Sequence, residues 1–144
     1  MKQQLLFCAL IGILTACQHE SDIQPSTTSL ASEAVGTYHT NFYLDPSYVA
    51  LSPNQMPYVE LKQESDSNVT LLLTKPYPSS QTKAISHVRL QRKSDGVELK
   101  VANTSIGTLQ TDRVFTNSGM EKQGQLLRLS AQDGSISEFV GVKQ

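Results

Sequence analysis

Apolar and polar side chains alternate with a period of two through most of the chain from residue 34 onward, which is the mark of strands with one buried face. Val97, Leu99 and Val101 fall on one face of such a strand, and Glu98 and Lys100 on the other. Residues 68–74 repeat the pattern, with Leu72 the single breach. Tyr38, Thr40, Phe42 and Leu44 alternate with Thr37, His39, Asn41 and Tyr43, while Val59 and Leu61 alternate with Tyr58, Glu60 and Lys62. Further runs at 84–91, 106–116, 125–130 and 135–142 bring the predicted total to eight strands. Asp95-Gly96 and Asp133-Gly134 supply short hairpin turns, and Asn117-Ser118-Gly119 a longer one. All six prolines lie outside the predicted strands, where a hydrogen-bonded ladder requires them. Gly107 and Gly141 fall inside strands and predict bulges or sharp bends.

The pattern therefore predicts an all-β fold: a small antiparallel up-and-down barrel of about eight strands in residues 34–144. The alternative is a two-layer β-sandwich. The barrel is favoured because closure removes the exposed edges that an open sheet leaves.

The pattern changes upstream. Met1-Lys2-Gln3-Gln4 is weakly positive, residues 5–15 form an 11-residue apolar run, and His19, Glu20 and Asp22 follow soon after. A charged start, a short apolar core and small residues at the break make a secretory signal at residues 1–16, since a bilayer span needs ~20 apolar residues. Residues 18–33 hold six Ser/Thr, one Pro and only three aliphatic side chains, too little apolar surface to offset chain entropy. Residues 17–33 are therefore read as a flexible tether, with a short helical turn expected across 29–35.

Leu14-Thr15-Ala16-Cys17 resembles the lipobox of bacterial lipoproteins at every position. The resemblance implies diacylglyceryl transfer to Cys17, cleavage before it and acylation of the new amino terminus. Such an anchor holds far better than a single acyl chain. Gln18 after the cysteine, in place of Asp, implies sorting to the outer membrane of a Gram-negative bacterium. Cysteine usage agrees: Cys8 leaves with the leader, and acylation removes the lone thiol that would otherwise face an oxidising compartment.

Gly36-Thr37-Tyr38 resembles the Gly-x-Trp opening of lipocalin-like barrels, with Tyr38 in place of Trp and a 13-residue loop, 45–57, following the strand. The resemblance implies a carrier of a small apolar ligand, with Tyr38, Phe42 and the loop lining or covering a cavity. Asp45-Pro46 fits an N-cap and first helical position, so 46–51 predicts one helical turn. Tyr48, Val49, Leu51 and Met56 make this loop unusually apolar, and it is read either as a lid or docking patch or, with preference, as a plug that fills one barrel end. Tyr77, between Pro76 and Pro78, is either a contact residue or a corner.

Composition narrows the chemistry. The chain has 12 Lys+Arg against 13 Asp+Glu; 12 less Lys2 leaves 11 basic side chains after cleavage, a net of −2, which excludes the basic footprint of a nucleic-acid binder. His39 and His87 lack a third ligand at metal spacing, no Gly-x-Ser-x-Gly turn activates a serine, and no glycine loop cradles phosphate. Arg89, Arg92 and Lys93 read as a solvated strand end rather than an anion site. No metal, cofactor or enzymatic activity is expected. The sequence points to a lipid-anchored, non-enzymatic binding or scaffold module of the cell envelope, attached to membrane through Cys17 and meeting a protein or glycan partner. The alternative is the lipocalin-like carrier.

Overall fold

The alternating segments pair in chain order. The computed structural model describes residues 28–131, 134 and 136–144, so the expected signal, Cys17 and most of the expected tether lie outside the described residues. Strands β1 (Gly36–His39), β2 (Tyr58–Gln63), β3 (Asn68–Lys75), β4 (Gln81–Lys93), β5 (Gly96–Val101), β6 (Thr104–Phe115), β7 (Glu121–Leu129) and β8 (Phe139–Lys143) form a closed antiparallel up-and-down barrel. Closure runs through Tyr38 opposite Lys143 and His39 opposite Val142. The barrel is the favoured architecture; the sandwich is not formed.

Tyr38, Val59, Leu61, Val69, Leu71, Leu99 and Leu127 point inward and are at most 1% exposed. They belong to one continuous apolar cluster, as the period-two pattern requires. Two bulges bend the wall. Leu99 faces Gly107 while Lys100 faces Ser105, which leaves Ile106 as the extra residue. A Cβ on Gly107 would stand 2.3 Å from the Arg128 carbonyl oxygen, so the strand passes this close only as glycine. In β4 the ladder shifts between Val69/Val88 and Leu71/Ile85, and His87 takes up φ +57° there. The Glu64 carboxylate receives the His87 N–H at 3.1 Å and the Thr70 hydroxyl, which satisfies polar groups around that bulge.

Helix α1 (Leu30–Ala34) closes one end of the barrel. The Ser29 side chain caps it by accepting from the Ser32 N–H at 3.1 Å. Ala31 and Ala34, three apart and both fully buried, turn a small-residue face onto the interior cluster. The Ala31 N–H donates to the Asp66 carbonyl in the β2–β3 turn, and the buried Tyr38 hydroxyl donates to the Ala34 carbonyl at 2.6 Å. Among the described residues the packed module thus includes Ser29 to Ala34, because two alanines bury where the composition of 18–33 as a whole reads as tether. At the opposite end Ile136 and Phe139 are buried in the same cluster, with Ala131 against it. Among the described residues, no helix is long and apolar enough to cross a membrane.

Several strand limits differ from the alternation. β1 ends at His39 rather than at 44, β7 begins at Glu121 rather than at 125, and β8 begins at Phe139. The start expected for the last strand, Ser135, lies outside the described residues.

Candidate interaction surface

The β6–β7 hairpin outgrows the barrel. β6 pairs with β5 only as far as Leu109, yet its ladder with β7 continues to Phe115 opposite Glu121. β7 in turn meets β8 only from Leu126 onward. Five residue pairs, from Thr111–Gln125 to Phe115–Glu121, therefore overhang, a projection of ~16 Å at ~3.3 Å per residue. The overhang leaves from the α1 end, where Glu33, Arg92, Gly96, Thr111 and Gln125 line one open cleft.

The outer face of this hairpin is apolar. Val114, Leu126 and Val142 form a second, smaller buried cluster, covered by Leu44 with Val140 beside it. Leu44 reaches it because the chain leaves the sheet after His39 and doubles back. Asn41 makes that turn. Its Oδ1 accepts from the N–H groups of Tyr43 and Leu44, both at 3.0 Å, and its Nδ2 donates to the Phe115 carbonyl at 2.8 Å. The Asn41 carbonyl accepts from the Leu44 and Asp45 N–H groups. An asparagine that offers the backbone these partners competes with ladder pairing, and here it wins.

This fold-back gathers aromatic rings at the hairpin. Phe42 packs on Tyr43 with ring centroids 4.1 Å apart, and Tyr43 lies 5.9 Å from Phe115. Tyr43 is 46% exposed, Phe115 44% and Met120, in the turn, 66%. Charges at the tip are balanced: Arg113 pairs with Glu121 at 3.0 Å, and Asp112 and Lys122 offset each other. The result is a neutral, apolar projection.

The residues expected from sequence are placed elsewhere. Tyr48, Val49 and Leu51 share one turn, with the Val49 N–H on the Pro46 carbonyl and the Leu51 N–H on the Tyr48 carbonyl. Pro46–Tyr48 is a 3-10 turn capped by the Asp45 side chain, as Asp45-Pro46 predicts. Tyr48 and Leu51 are half-buried. Burial, then the nearby Asp45 charge, raises the Tyr48 phenol above its ordinary pKa. Val49 is 71% exposed. Met56 is only 6% exposed, so it is a packing residue and not a contact residue. None of the four belongs to the interior cluster, which holds Ala31 and Ala34 of α1 at one end of the barrel and Ile136 and Phe139 at the other. Tyr77, 54% exposed, stands alone in the β3–β4 turn at the end opposite α1. Tyr38 lies in the packed core and Phe42 outside it, so the two line no common chamber.

The charged and ionisable groups hold structure. His39 stacks on Tyr58 at 5.5 Å, and burial lowers its pKa. His87 Nδ1 lies 2.9 Å from Glu64. Among the described residues, no three His, Cys, Asp or Glu side chains group to hold a metal. Arg89, Arg92 and Lys93 are exposed at the end of β4, the solvated strand end the sequence predicts; there Arg92 forms two hydrogen bonds to Glu33 of α1, and Lys93 lies 3.3 Å from Glu98. Lys143 adds a bond from Nζ to the Glu33 carbonyl at 2.8 Å. Sequence reasoning passed over Asn41, Tyr43, Phe115 and Met120; the one available signal was an asparagine in the middle of an otherwise regular alternating run. Compared with protein-family models, with curated proteins and with solved structures, the chain has no match.

Proposed function

We propose that this protein is a lipid-anchored, non-enzymatic binding or scaffold module of the cell envelope, held through acylated Cys17 at the outer membrane of a Gram-negative bacterium. One observation carries the non-carrier part of the reading: apolar side chains occupy the barrel interior and both its ends. A small eight-stranded barrel either fills itself or holds one small ligand, and this one is filled. Recognition then falls to the outer surface, where Val49 and Tyr77 are the exposed members of the expected contact set. Tyr77 suits an interface, since an aromatic body with a polar tip offers much contact area at little entropic cost.

The test is photo-crosslinking in intact cells from a reactive amino acid placed at Val49 or at Tyr77. The reading expects a discrete covalent adduct to one envelope protein or glycan, lost when the neighbouring surface is changed. Capture of bulk envelope components alone overturns it.

A further inference from the structure

The neutral apolar tip and the tether leave the barrel at the same end. Ser29 caps α1 there, and the β6–β7 hairpin projects from that end by ~16 Å. With α1 part of the module, the stretch read from composition as tether is the eleven residues from Gln18 to Thr28. Eleven residues that follow coil statistics, as that composition predicts, would span ~17–20 Å. The two lengths match, so the tip reaches the plane in which Cys17 is anchored.

We infer that the β6–β7 tip, with Tyr43, Phe115 and Met120 at its apex, rests in the surface of the lipid bilayer to which the chain is tethered. The inference deepens the lipid-anchor reading and rests on it. The side chains fit the occupant: aromatic rings with one polar handle settle at the boundary between headgroup and acyl chain, and an exposed methionine adds apolar surface. The balanced charges of Asp112, Arg113, Glu121 and Lys122 mean that burial of apolar area, not attraction to anionic lipid, drives the contact. Zwitterionic lipid therefore suffices, and salt has little effect. Docking in this way fixes the barrel's orientation, with α1 toward the membrane and the β3–β4 turn carrying Tyr77 away from it.

The chain has no tryptophan, so a single substitution supplies a clean reporter. Phe115→Trp, Met120→Trp and Tyr77→Trp are each made in the chain beginning at Cys17, which contains the whole barrel. The Cys17 thiol is coupled to a maleimide lipid in phosphatidylcholine vesicles, so the result does not depend on whether cells acylate that cysteine. The Phe115→Trp and Met120→Trp reporters are expected to emit at shorter wavelength on vesicles than in buffer and to be quenched by brominated phosphatidylcholine, at low and high salt alike. The Tyr77→Trp reporter is expected to stay water-exposed. Water-like, unquenched emission from both tip reporters in a chain with native circular dichroism overturns the inference, as does crosslinking of the tip to a protein in cells. Quenching that appears only with anionic lipid overturns the neutral-insertion argument.

Discussion

Asn41→Ala tests whether one side chain holds the fold-back that builds the aromatic tip. Asn41 is 4% exposed, and its side chain satisfies two N–H groups and one carbonyl. A typical intramolecular hydrogen bond contributes ~0.5–1.5 kcal/mol net, and stranding buried partners adds to the loss. Three such bonds set the expected destabilisation at ~2–4 kcal/mol. At ~3–6 °C per kcal/mol for a domain of this size, the melting temperature should fall by ~10–20 °C. Thermal and urea unfolding followed by far-ultraviolet circular dichroism read the change. Asn41→Asp sharpens the test. It keeps an acceptor for the Tyr43 and Leu44 N–H groups but sets a carboxylate oxygen against the Phe115 carbonyl, and it regains a donor only when protonated. Its deficit relative to the parent chain should therefore shrink as pH falls through the carboxylate range near ~4, while that of Asn41→Ala does not. An Asn41→Ala loss within ~0.5 kcal/mol, the range of an ordinary surface change, refutes the reasoning, as does an Asn41→Asp deficit that ignores pH.

Three further outcomes follow from the packing and the charges. Leu127→Ala, at a fully buried site facing the barrel interior, should cost ~2–5 kcal/mol in urea unfolding, where a wall facing an empty chamber would lose far less. Gly107→Ala should cost ~3 kcal/mol in the same assay, because the backbone oxygen of Arg128 has no room to yield. Glu33 is held below its ordinary value of 4.5, chiefly by its hydrogen bond from Arg92. A depressed folded value stabilises above 4.5, and the contribution is lost as pH falls below it. The pair is solvated, so Arg92→Gln should cost little at neutral pH, and the gap from the parent chain should close in acid.

The sequence made the barrel legible where one face of a strand is buried along its whole length, as at Val97, Leu99 and Val101. It failed where a ladder runs on without burying anything. Residues 121–124 carry no apolar side chain, so alternation ended the strand at 125, although pairing with β6 continues to Glu121. The opposite error occurred at 40–44. There alternation continued, but it served two different cores: Tyr38 points into the barrel, and Leu44 covers Val114, Leu126 and Val142 on the outside. Periodicity records that side chains are buried, not in which core. Ala31 and Ala34 escaped for a related reason, since two small residues in a Ser/Thr-rich stretch carry little weight in composition yet fit a barrel end. The aromatic tip was unreadable because Tyr43 and Phe115 lie 72 positions apart and meet only through the Asn41 turn.

Cys17 is the residue on which the proposed membrane attachment depends. Intact mass spectrometry of the protein from the membrane fraction of its own cells, beside the Cys17→Ala chain, tests it most directly. The predicted result is a chain of residues 17–144 carrying the mass of a diacylglyceryl group and one further acyl chain, with the Cys17→Ala form unmodified and released from the membrane. An unacylated chain, whether it begins at Met1 or at Cys17, contradicts the account.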